Sequence, residues 1–362
     1  MATKTKETQR VNNIRDFVLD GVTEHPRDIV RVTANEFELS RQSASNHLRE
    51  LIKQGLLVGS GNTRGRVYKL KAIADHDFPL EVGDGLEEDV EWRQKIVPLL
   101  APLSGQREAL DRTKVSDNVQ EICHYGFTEM VNNVIDHSEC TISRVRIRRT
   151  ARDIRLDVFD NGIGIFQKLQ DAFQLEDPRH ALLELSKGKL TSDPANHTGE
   201  GIFFTSRMFK EFSISSGTLI FRRFNKEDWL VEVANRSSPL SGTLVTMIIE
   251  PRSEETVNGV FTKFSDDEFR FSRTHVPIEL AVYEGEKLLS RSQARRILAR
   301  FDRFTEVMLD FRGVDEIGQA FADEIFRVFR REHPDIDVRW VFTTPEIDQM
   351  IARVTGDSGK AA

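Results

Sequence analysis

The sequence predicts an α/β protein that is built from several domains. Its 362 residues are enough for two or three domains. Charge is divided unevenly: residues 1–72 carry 13 Lys and Arg against 8 Asp and Glu, a sum of +5, and because the whole chain sums to −7 the remainder sums to −12. A basic module joined to an acidic remainder is typical of a nucleic-acid-binding domain attached to domains of another function.

Composition excludes several classes of protein. The chain is 39% hydrophobic and 30% charged, as expected of a soluble globular protein, and it contains no run of 18 apolar residues that could cross a membrane. The opening residues, MATKTKETQR, lack the apolar segment of a signal peptide. Cys123 and Cys140 form neither a CxxC pair nor a disulfide framework. We therefore expect a cytoplasmic protein that does not associate with membranes.

Residues 1–72 predict three helices followed by a β-hairpin. The stretch NNIRDFVLDGV has apolar residues at helical spacing, and a short helix is expected around 26–33. A third helix begins after Ser40, a preferred N-cap residue, and ends at Gly55, a preferred C-cap residue. The stretch LLVGSGNTRGRVYKL then predicts a hairpin whose glycine-rich tip carries arginines.

This order of elements resembles a winged helix-turn-helix of the ArsR/MarR type. Such domains place the N-terminal part of their third helix in the major groove, where Arg, Gln and Asn pair with base edges. The resemblance thus implies duplex DNA as a partner and is compatible with a homodimer; a protein-docking module is the alternative. The residues that it places at DNA are Arg41, Gln42, Ser43, Ser45 and Asn46 on the helix and Arg64 and Arg66 on the wing.

Residues 73–94 are acidic and without periodicity, which predicts a linker, and residues 95–250 then contain four short motifs. A long amphipathic helix carries E-x-x-x-N, and an apolar strand runs into D-x-G-x-G. Two glycines open a later helix, and a final apolar strand begins with Gly-Thr. The motif residues are Glu129, Asn133, Asp160, Gly162, Gly164, Gly199, Gly201 and Thr243.

The ordered set resembles the GHKL (histidine kinase-like) superfamily, which includes gyrase, the mismatch-repair ATPase, histidine kinases and anti-sigma serine kinases. The resemblance implies an α/β sandwich that binds ATP and Mg²⁺. Asp160 would accept a hydrogen bond from the adenine amino group, because a carboxylate has only acceptors. Gly162 and Gly164 would let the backbone approach the base. Asn133 would be the Mg²⁺ ligand, a hard oxygen for a hard cation.

The remaining motif residues would surround the phosphates and the base. Gly199 and Gly201 would offer backbone N–H groups at a helix start to the phosphates, and Thr243 would lie near the adenine. The resemblance makes residues 166–198 a mobile ATP lid. Within it, Lys187 or Lys189 either reaches the γ-phosphate or is an ordinary exposed lysine.

Glu129 carries the prediction about catalysis. Superfamily members that hydrolyse ATP or phosphorylate serine keep a glutamate here as the candidate general base, whereas histidine kinases typically have asparagine. The alternative is a solvated helix residue in a protein that binds ATP without cleaving it. The chain also lacks a recognisable phosphoacceptor helix, so a sensor histidine kinase is not expected.

After a polar connector, 251–272, residues 273–362 alternate strands and helices, which predicts an α/β layer with a partly parallel sheet. PIELAVYEGEKLLS predicts a strand or hairpin, SRSQARRILARF a helix capped by Ser290 or Ser292, and the next strand ends at Asp310. The region resembles a STAS domain of the kind joined to ATPase modules. Antagonist STAS domains carry a phosphoacceptor serine where this chain has EIGQAFADE, so the resemblance implies a docking surface for a protein partner without that acceptor.

Together these features predict a DNA-binding transcriptional regulator that is switched by ATP, with slow hydrolysis left open. The alternative is an anti-sigma-type protein serine/threonine kinase that acts on a separate partner and uses its N-terminal domain for docking. The sequence leaves the DNA target, the signal and the oligomeric state undetermined.

Overall fold

A computed structural model describes residues 2–62, 65–83, 86–102, 113–175, 177–190, 198–224, 227–232, 239–282 and 286–356. These residues form helices and three separate sheets, so the chain is a mixed α/β protein with several domains. None of the described helices combines the length and apolarity that a bilayer crossing requires.

The described residues contain twelve helices besides short 3₁₀ turns, and two of the twelve change between α and π geometry along their length. They are α1 (Ala2–Gly21), α2 (Ile29–Glu36), α3 (Arg41–Lys53), α4 (Glu88–Glu91, Trp92–Ile96 and Val97–Leu100), α5 (Asp117–His137), α6 (Ile165–Phe173), α7 (Pro178–Lys187), α8 (Gly201–Met208), α9 (Val257–Phe264), α10 (Arg291–Leu298), α11 (Gln319–Ala322, Asp323–Phe329 and Arg330–Glu332) and α12 (Pro345–Thr355).

Among the described residues, twelve strands form the three sheets. They are β1 (Leu57–Ser60), β2 (Val67–Leu70), β3 (Ala74–Leu80), β4 (Ser143–Arg149), β5 (Ile154–Asp160), β6 (Glu211–Gly217), β7 (Leu219–Phe224), β8 (Glu227–Glu232), β9 (Leu240–Ile249), β10 (Arg273–Pro277), β11 (Glu306–Asp310) and β12 (Asp337–Val341).

The N-terminal unit consists of α1, α2, α3 and the antiparallel hairpin β1–β2. Its third helix begins as predicted, because the Ser40 hydroxyl accepts a hydrogen bond from the Ser43 N–H at 3.1 Å. The helix ends before Gly55, which has a φ of 75° and thus the left-handed conformation common after helix ends. The second helix spans Ile29–Glu36 rather than 26–33. Aliphatic side chains of all three helices form a hydrophobic core of their own, with Ile29 from α2 and Leu48 and Leu51 from α3 among its members.

The central sheet has seven antiparallel strands in the order β3–β4–β5–β9–β6–β7–β8. Side chains alternate strictly between buried and exposed along β4, so helices cover one face and solvent meets the other. Helices α5 and α8 pack on the covered face, with Phe127 and Phe204 fully buried.

The predicted linker 73–94 contributes structure, which corrects the expectation of an unstructured segment. Residues 74–80 form β3, the edge strand of the central sheet. Its outward aspartates pair with β4: Asp75 lies 2.9 Å from Arg146 and Asp77 lies 3.0 Å from Arg144. The segment resembled a linker because an edge strand exposes charged side chains and has little apolar alternation.

The C-terminal domain, residues 273–356, is built on the parallel sheet β10–β11–β12. As predicted, Ser290 caps α10, in a capping box with Gln293, and β11 ends at Asp310. The stretch after β10 is different from the prediction, since Ile278–Ala281 is a 3₁₀ turn rather than more strand or a hairpin. The domain shares one hydrophobic core with the central sheet domain, and Phe271 of the connector joins the two: its ring lies 4.4 Å from that of Phe203 and 5.4 Å from that of Phe304.

The segment 166–198 was predicted to lack a core pattern and to be a mobile lid, and the first part of that prediction is wrong for the described residues. Helices α6 and α7 occupy most of it, and residues 176 and 191–197 lie outside the described residues. Phe166 and Leu169 are buried, and so is α7 from Ala181 to Lys187. Helix α7 is buried because the C-terminal domain packs over it. The local sequence gives no indication of this tertiary contact.

Candidate functional site

A cavity of about 350 Å³ lies between α5, the central sheet, helices α6 and α7, and the start of α8. This volume lies within the range of small-molecule sites, about 300–1,000 Å³. The cavity brings together residues that are far apart in the sequence. The predicted site residues that line it are Glu129, Asn133, Asp160, Gly164, Gly199, Gly201 and Thr243.

Asp160 lies at one end of the cavity, as the last residue of β5. It is 5% exposed and is the cross-strand neighbour of Thr243 on β9. Its carboxylate accepts hydrogen bonds from the Gly162 N–H at 2.9 Å and from the N–H and hydroxyl of Thr243. Burial raises the pKa of the Asp160 carboxyl, and these hydrogen bonds oppose the rise. Because a carboxylate has about four lone-pair positions, Asp160 keeps the capacity to accept a hydrogen bond from a ligand.

Gly162 allows the turn after β5 to lie close to the end of α5, and this contact is away from the cavity wall. A Cβ at this position would lie 1.9 Å from the Ser138 carbonyl oxygen. That carbonyl accepts the N–H of Ile163 at 3.0 Å, so the turn after β5 is tied to the end of α5. Gly162 thus holds the Asp160 turn against α5, and it is not among the residues that line the cavity.

Glu129 lies at the other end, next to the first turn of α8. A Cβ on Gly201 would lie 1.9 Å from Glu129 Oε2, so only glycine lets the helix start approach the carboxylate. The carboxylate also hydrogen-bonds with Tyr125, one turn earlier on α5. Burial, followed by the charges of Glu129 and Glu200, raises the pKa of the Tyr125 hydroxyl. This keeps Tyr125 a hydrogen-bond donor to Glu129.

Asn133 lies one helical turn from Glu129 and is half-buried at the cavity wall. Its amide oxygen is a suitable ligand for Mg²⁺. Within the described ranges, no group of three His, Cys, Asp or Glu side chains could hold a metal by itself. A Mg²⁺ here would therefore take most of its ligands from phosphate oxygens and water, as this ion commonly does.

Sequence reasoning missed two polar residues that matter for the site. Lys168 on α6 lines the cavity, and its Nζ donates to the His137 carbonyl at 2.6 Å. Tyr125 is the other, and the signal for it was available, because a residue four positions before Glu129 lies on the same helix face. No such signal existed for Lys168, whose approach to the end of α5 depends on the tertiary packing of α6.

Neither lysine that was considered for the γ-phosphate is among the cavity residues. Lys187 is fully buried, which also excludes an ordinary exposed lysine, and its Nζ donates to the Ala299 carbonyl at 3.1 Å. Lys189 donates to the Arg303 carbonyl at 2.7 Å. Both ammonium groups are directed to the C-terminal domain, because α7 turns this side away from the cavity.

Residues predicted to contact DNA lie on the surface of the N-terminal unit. On α3, Arg41, Gln42 and Asn46 are exposed, whereas Ser43 and Ser45 are half-exposed. On the hairpin, the Arg66 guanidinium stacks 5.2 Å from the Tyr68 ring. Arg64 lies outside the described residues.

Comparison with known proteins identifies one part of the chain. Residues 293–348 match the STAS-like domain of unknown function (DUF4325). The match begins within α10 and ends within α12, and so it includes β11 and β12. No curated protein matches the chain.

Proposed function

We propose that this protein is a DNA-binding regulator whose cavity binds ATP with Mg²⁺ and whose DNA binding responds to that nucleotide. The observation that carries the proposal is the convergence of seven motif residues, drawn from four separate segments between 129 and 243, on one cavity. Packing of the hydrophobic core does not require these residues to lie together, since most of them are polar or are glycines, which have no side chain.

Base recognition by Asp160 is supported by its hydrogen bonds. The carboxylate accepts from the Gly162 N–H at 2.9 Å and keeps further acceptor capacity, since it has about four lone-pair positions. A buried group that only accepts hydrogen bonds favours a ligand that presents an N–H at this end of the cavity. The amino group of adenine meets this requirement, whereas a carbonyl at the same position would be repelled.

DNA binding is supported by the N-terminal unit. The helix α3 presents Arg41, Gln42 and Asn46 outward, and a basic hairpin follows it. Residues 40–71 include seven basic side chains and one acidic side chain, Glu50. An exposed helix start beside a basic hairpin is the arrangement with which winged helices enter the major groove.

A kinase function is the second candidate, and the position of Glu129 favours it. The carboxylate lies at the cavity end opposite Asp160, beside the helix start that would face the phosphates. A general base for water or for a hydroxyl group would be needed at that end. The STAS-like match gives a region to which a protein substrate could dock.

The first test measures ATP binding by isothermal titration calorimetry with Mg²⁺ present. Asp160→Asn should weaken ATP binding by about 10- to 100-fold, because a hydrogen bond to a charged acceptor is worth about 1.5–3 kcal/mol. Asp157→Asn is the matched control: it lies on the same strand, but its carboxylate accepts from Thr246 at 2.6 Å on the other face of the sheet. Equal losses in both variants, or no binding by the wild type, would contradict the proposed site.

The second test measures binding of the protein to a pool of genomic duplex fragments, with and without Mg·ATP. A regulator should change its affinity or footprint when ATP is added, and Asp160→Asn should lose that response. Absence of specific binding at physiological salt would instead indicate a docking module. Transfer of labelled phosphate from ATP to a partner protein would then support the kinase function.

A further inference from the structure

A buried charge cluster joins α7 to the C-terminal domain. It consists of Glu184 and Lys187 on α7 and Arg300 just after α10, and we call it the α7 clamp. The side chains of Lys187, Glu184 and Arg300 are 0%, 10% and 14% exposed. Lys187 Nζ lies 2.5 Å from one carboxylate oxygen of Glu184, and Arg300 Nε lies 2.5 Å from the other. One carboxylate therefore holds two cations that come from different domains.

Lys187 also caps the end of α10. Besides Glu184, its ammonium group donates to the carbonyls of Arg296 at 3.2 Å and Ala299 at 3.1 Å. An ammonium group has three donors, and all three now have acceptors. The last carbonyls of a helix lack partners within the helix and carry partial negative charge. The positive charge is thus matched by both a carboxylate and a helix end.

Arg300 caps the end of α7 in the same way. Its Nη2 donates to the Glu184 carbonyl at 3.0 Å, and its Nη1 donates to the Lys189 carbonyl at 2.9 Å. Lys187 on α7 therefore caps α10, and Arg300, which follows α10, caps α7. Separating α7 from the C-terminal domain would leave both helix ends without their caps. It would also separate Arg300 from Glu184 and Lys187.

The clamp is only a few residues from the cavity wall. Leu185, on the clamp helix, and Leu190, which follows it, both line the cavity. The Leu190 N–H donates to the Gly199 carbonyl at 3.1 Å, and Gly199 lines the cavity as well. On the other side, the Thr274 hydroxyl of β10 donates to the Lys187 carbonyl at 2.7 Å. The same short segment thus contacts both the cavity and the C-terminal domain.

We propose that the C-terminal domain holds α7 against the cavity through the α7 clamp, and that binding in the cavity and events at the STAS-like region are thereby coupled. The proposal depends on the proposed function for the identity of the ligand as ATP. A change that loosens the clamp lowers the affinity for the ligand, and by linkage the ligand stabilises the docked C-terminal domain to the same extent. The cavity wall is therefore regulated from outside the cavity.

Charge balance predicts an order among variants of the clamp. Glu184→Gln leaves Lys187 and Arg300 buried without a carboxylate, the most unfavourable arrangement. Arg300→Met removes the ion pair between domains and the cap on α7, but it leaves Glu184 paired with Lys187 inside α7. Lys187→Met removes the cap on α10 and the ion pair inside α7, but it keeps the Glu184–Arg300 pair between domains. A simple loss of packing would not produce this order.

The experiment measures hydrogen exchange of the amides in 178–190 and, by calorimetry, the affinity for ATP with Mg²⁺, on the full chain. We expect Glu184→Gln to accelerate exchange and weaken ATP binding most, by about tenfold or more. Arg300→Met should have an intermediate effect and Lys187→Met the smallest. Arg295→Gln is the matched control, since this α10 arginine is 70% exposed and pairs with Glu324 within the C-terminal domain.

Thr274→Val is a milder variant for the case in which Glu184→Gln does not fold. It removes only the bond to the Lys187 carbonyl, and it should accelerate exchange of the same amides, by less than Arg300→Met. Unchanged exchange in Arg300→Met and Thr274→Val would overturn the clamp. Faster exchange with wild-type ATP affinity would overturn the coupling alone, whereas a wild type that binds no ATP would overturn the proposed function.

Discussion

The surroundings of Lys187 strongly change the pKa of its side chain. Burial lowers the pKa of its ammonium group to about 8, although the charge of Glu184 opposes the shift. The charge of Arg300, which faces it from the C-terminal domain, adds to the lowering. Burial is thus the main cause of the lowered pKa, and the repulsion by Arg300 is a smaller contribution in the same direction.

This shift predicts a pH dependence of stability. The pKa of Lys187 is about 8 in the folded protein and 10.5 in an ordinary lysine. Between these values the unfolded chain holds more protons, so the free energy of unfolding should rise with pH in that window. Relative to Lys187→Met, the wild type should gain roughly 1–3 kcal/mol between pH 8 and 10.5. Urea unfolding followed by tryptophan fluorescence measures the difference, and parallel pH profiles for the two proteins would refute it.

Asp160 is the opposite case, a residue whose role depends mainly on its neighbours in sequence and register. It ends β5, and Gly162 follows at the distance that lets a backbone N–H reach its carboxylate. Thr243 lies opposite because β5 and β9 pair in a fixed register. A local motif and one strand pairing are therefore enough to build this end of the cavity.

At the scale of elements, α3 is defined almost completely by local signals. Ser40 caps its first turn, Leu48 and Leu51 face the core, and a left-handed glycine follows its end. These signals place Arg41 in the first turn and Asn46 on the exposed face. The two residues should then contribute to DNA binding in different ways.

The proposed DNA interface predicts separable effects of two α3 variants. Arg41→Ala should reduce the slope of log affinity against log salt by about 0.9, because one phosphate contact is lost. Asn46→Ala should leave that slope unchanged and relax the preference for the correct base by about 1–3 kcal/mol. Fluorescence anisotropy at several salt concentrations measures both. Arg353→Ala, an exposed arginine on α12, controls for the loss of one positive charge, and an equal change in slope there would contradict the interface.

Helix α7 is an element that local signals did not reveal. Its residues Glu184, Ser186 and Lys187 are polar, yet all are buried. Their polar atoms are satisfied by a carboxylate, by carbonyls and by Arg300, most of them from other segments. A polar helix can be buried in this way only when a second domain supplies the partners.

At the scale of the whole molecule, the N-terminal unit contacts the central sheet domain near Arg152. Asp20 on α1 forms an ion pair with Arg152, and Ala151 packs against the N-terminal core. Just after the unit, the Ile73 N–H donates to the Arg149 carbonyl at 2.7 Å. This junction offers a route for a signal from the cavity to DNA.

The junction can be tested by reversing one charge. Asp20→Lys places a second cation beside Arg152, and it should reduce or abolish the effect of ATP on DNA binding. ATP affinity and DNA affinity without ATP should stay close to wild type, because the substitution lies in neither proposed site. Glu24→Lys makes the same charge change on the exposed surface of the same unit. DNA-binding titrations with and without Mg·ATP measure the response, and a full response in Asp20→Lys would exclude this route.

The sequence by itself determined the elements whose signals are local and periodic. These include α3 with its caps, the amphipathic α5, the strand β5 with its D-x-G-x-G turn, and the parallel C-terminal sheet. It also predicted that the residues of four motifs would lie together, and seven of those eight residues line one cavity, whereas Gly162 does not.

Tertiary structure decided the remainder. It made residues 74–80 an edge strand, converted the expected lid into the buried helix α7, and turned Lys187 from the cavity to the C-terminal domain. These features depend on partners that lie from about sixty to more than a hundred positions away in the chain, such as Arg146 for Asp75 and Arg300 for Glu184. The periodicity of a segment depends only on residues that are close together in sequence. Whether a charged side chain can be buried depends instead on distant residues that supply an opposite charge or a hydrogen bond.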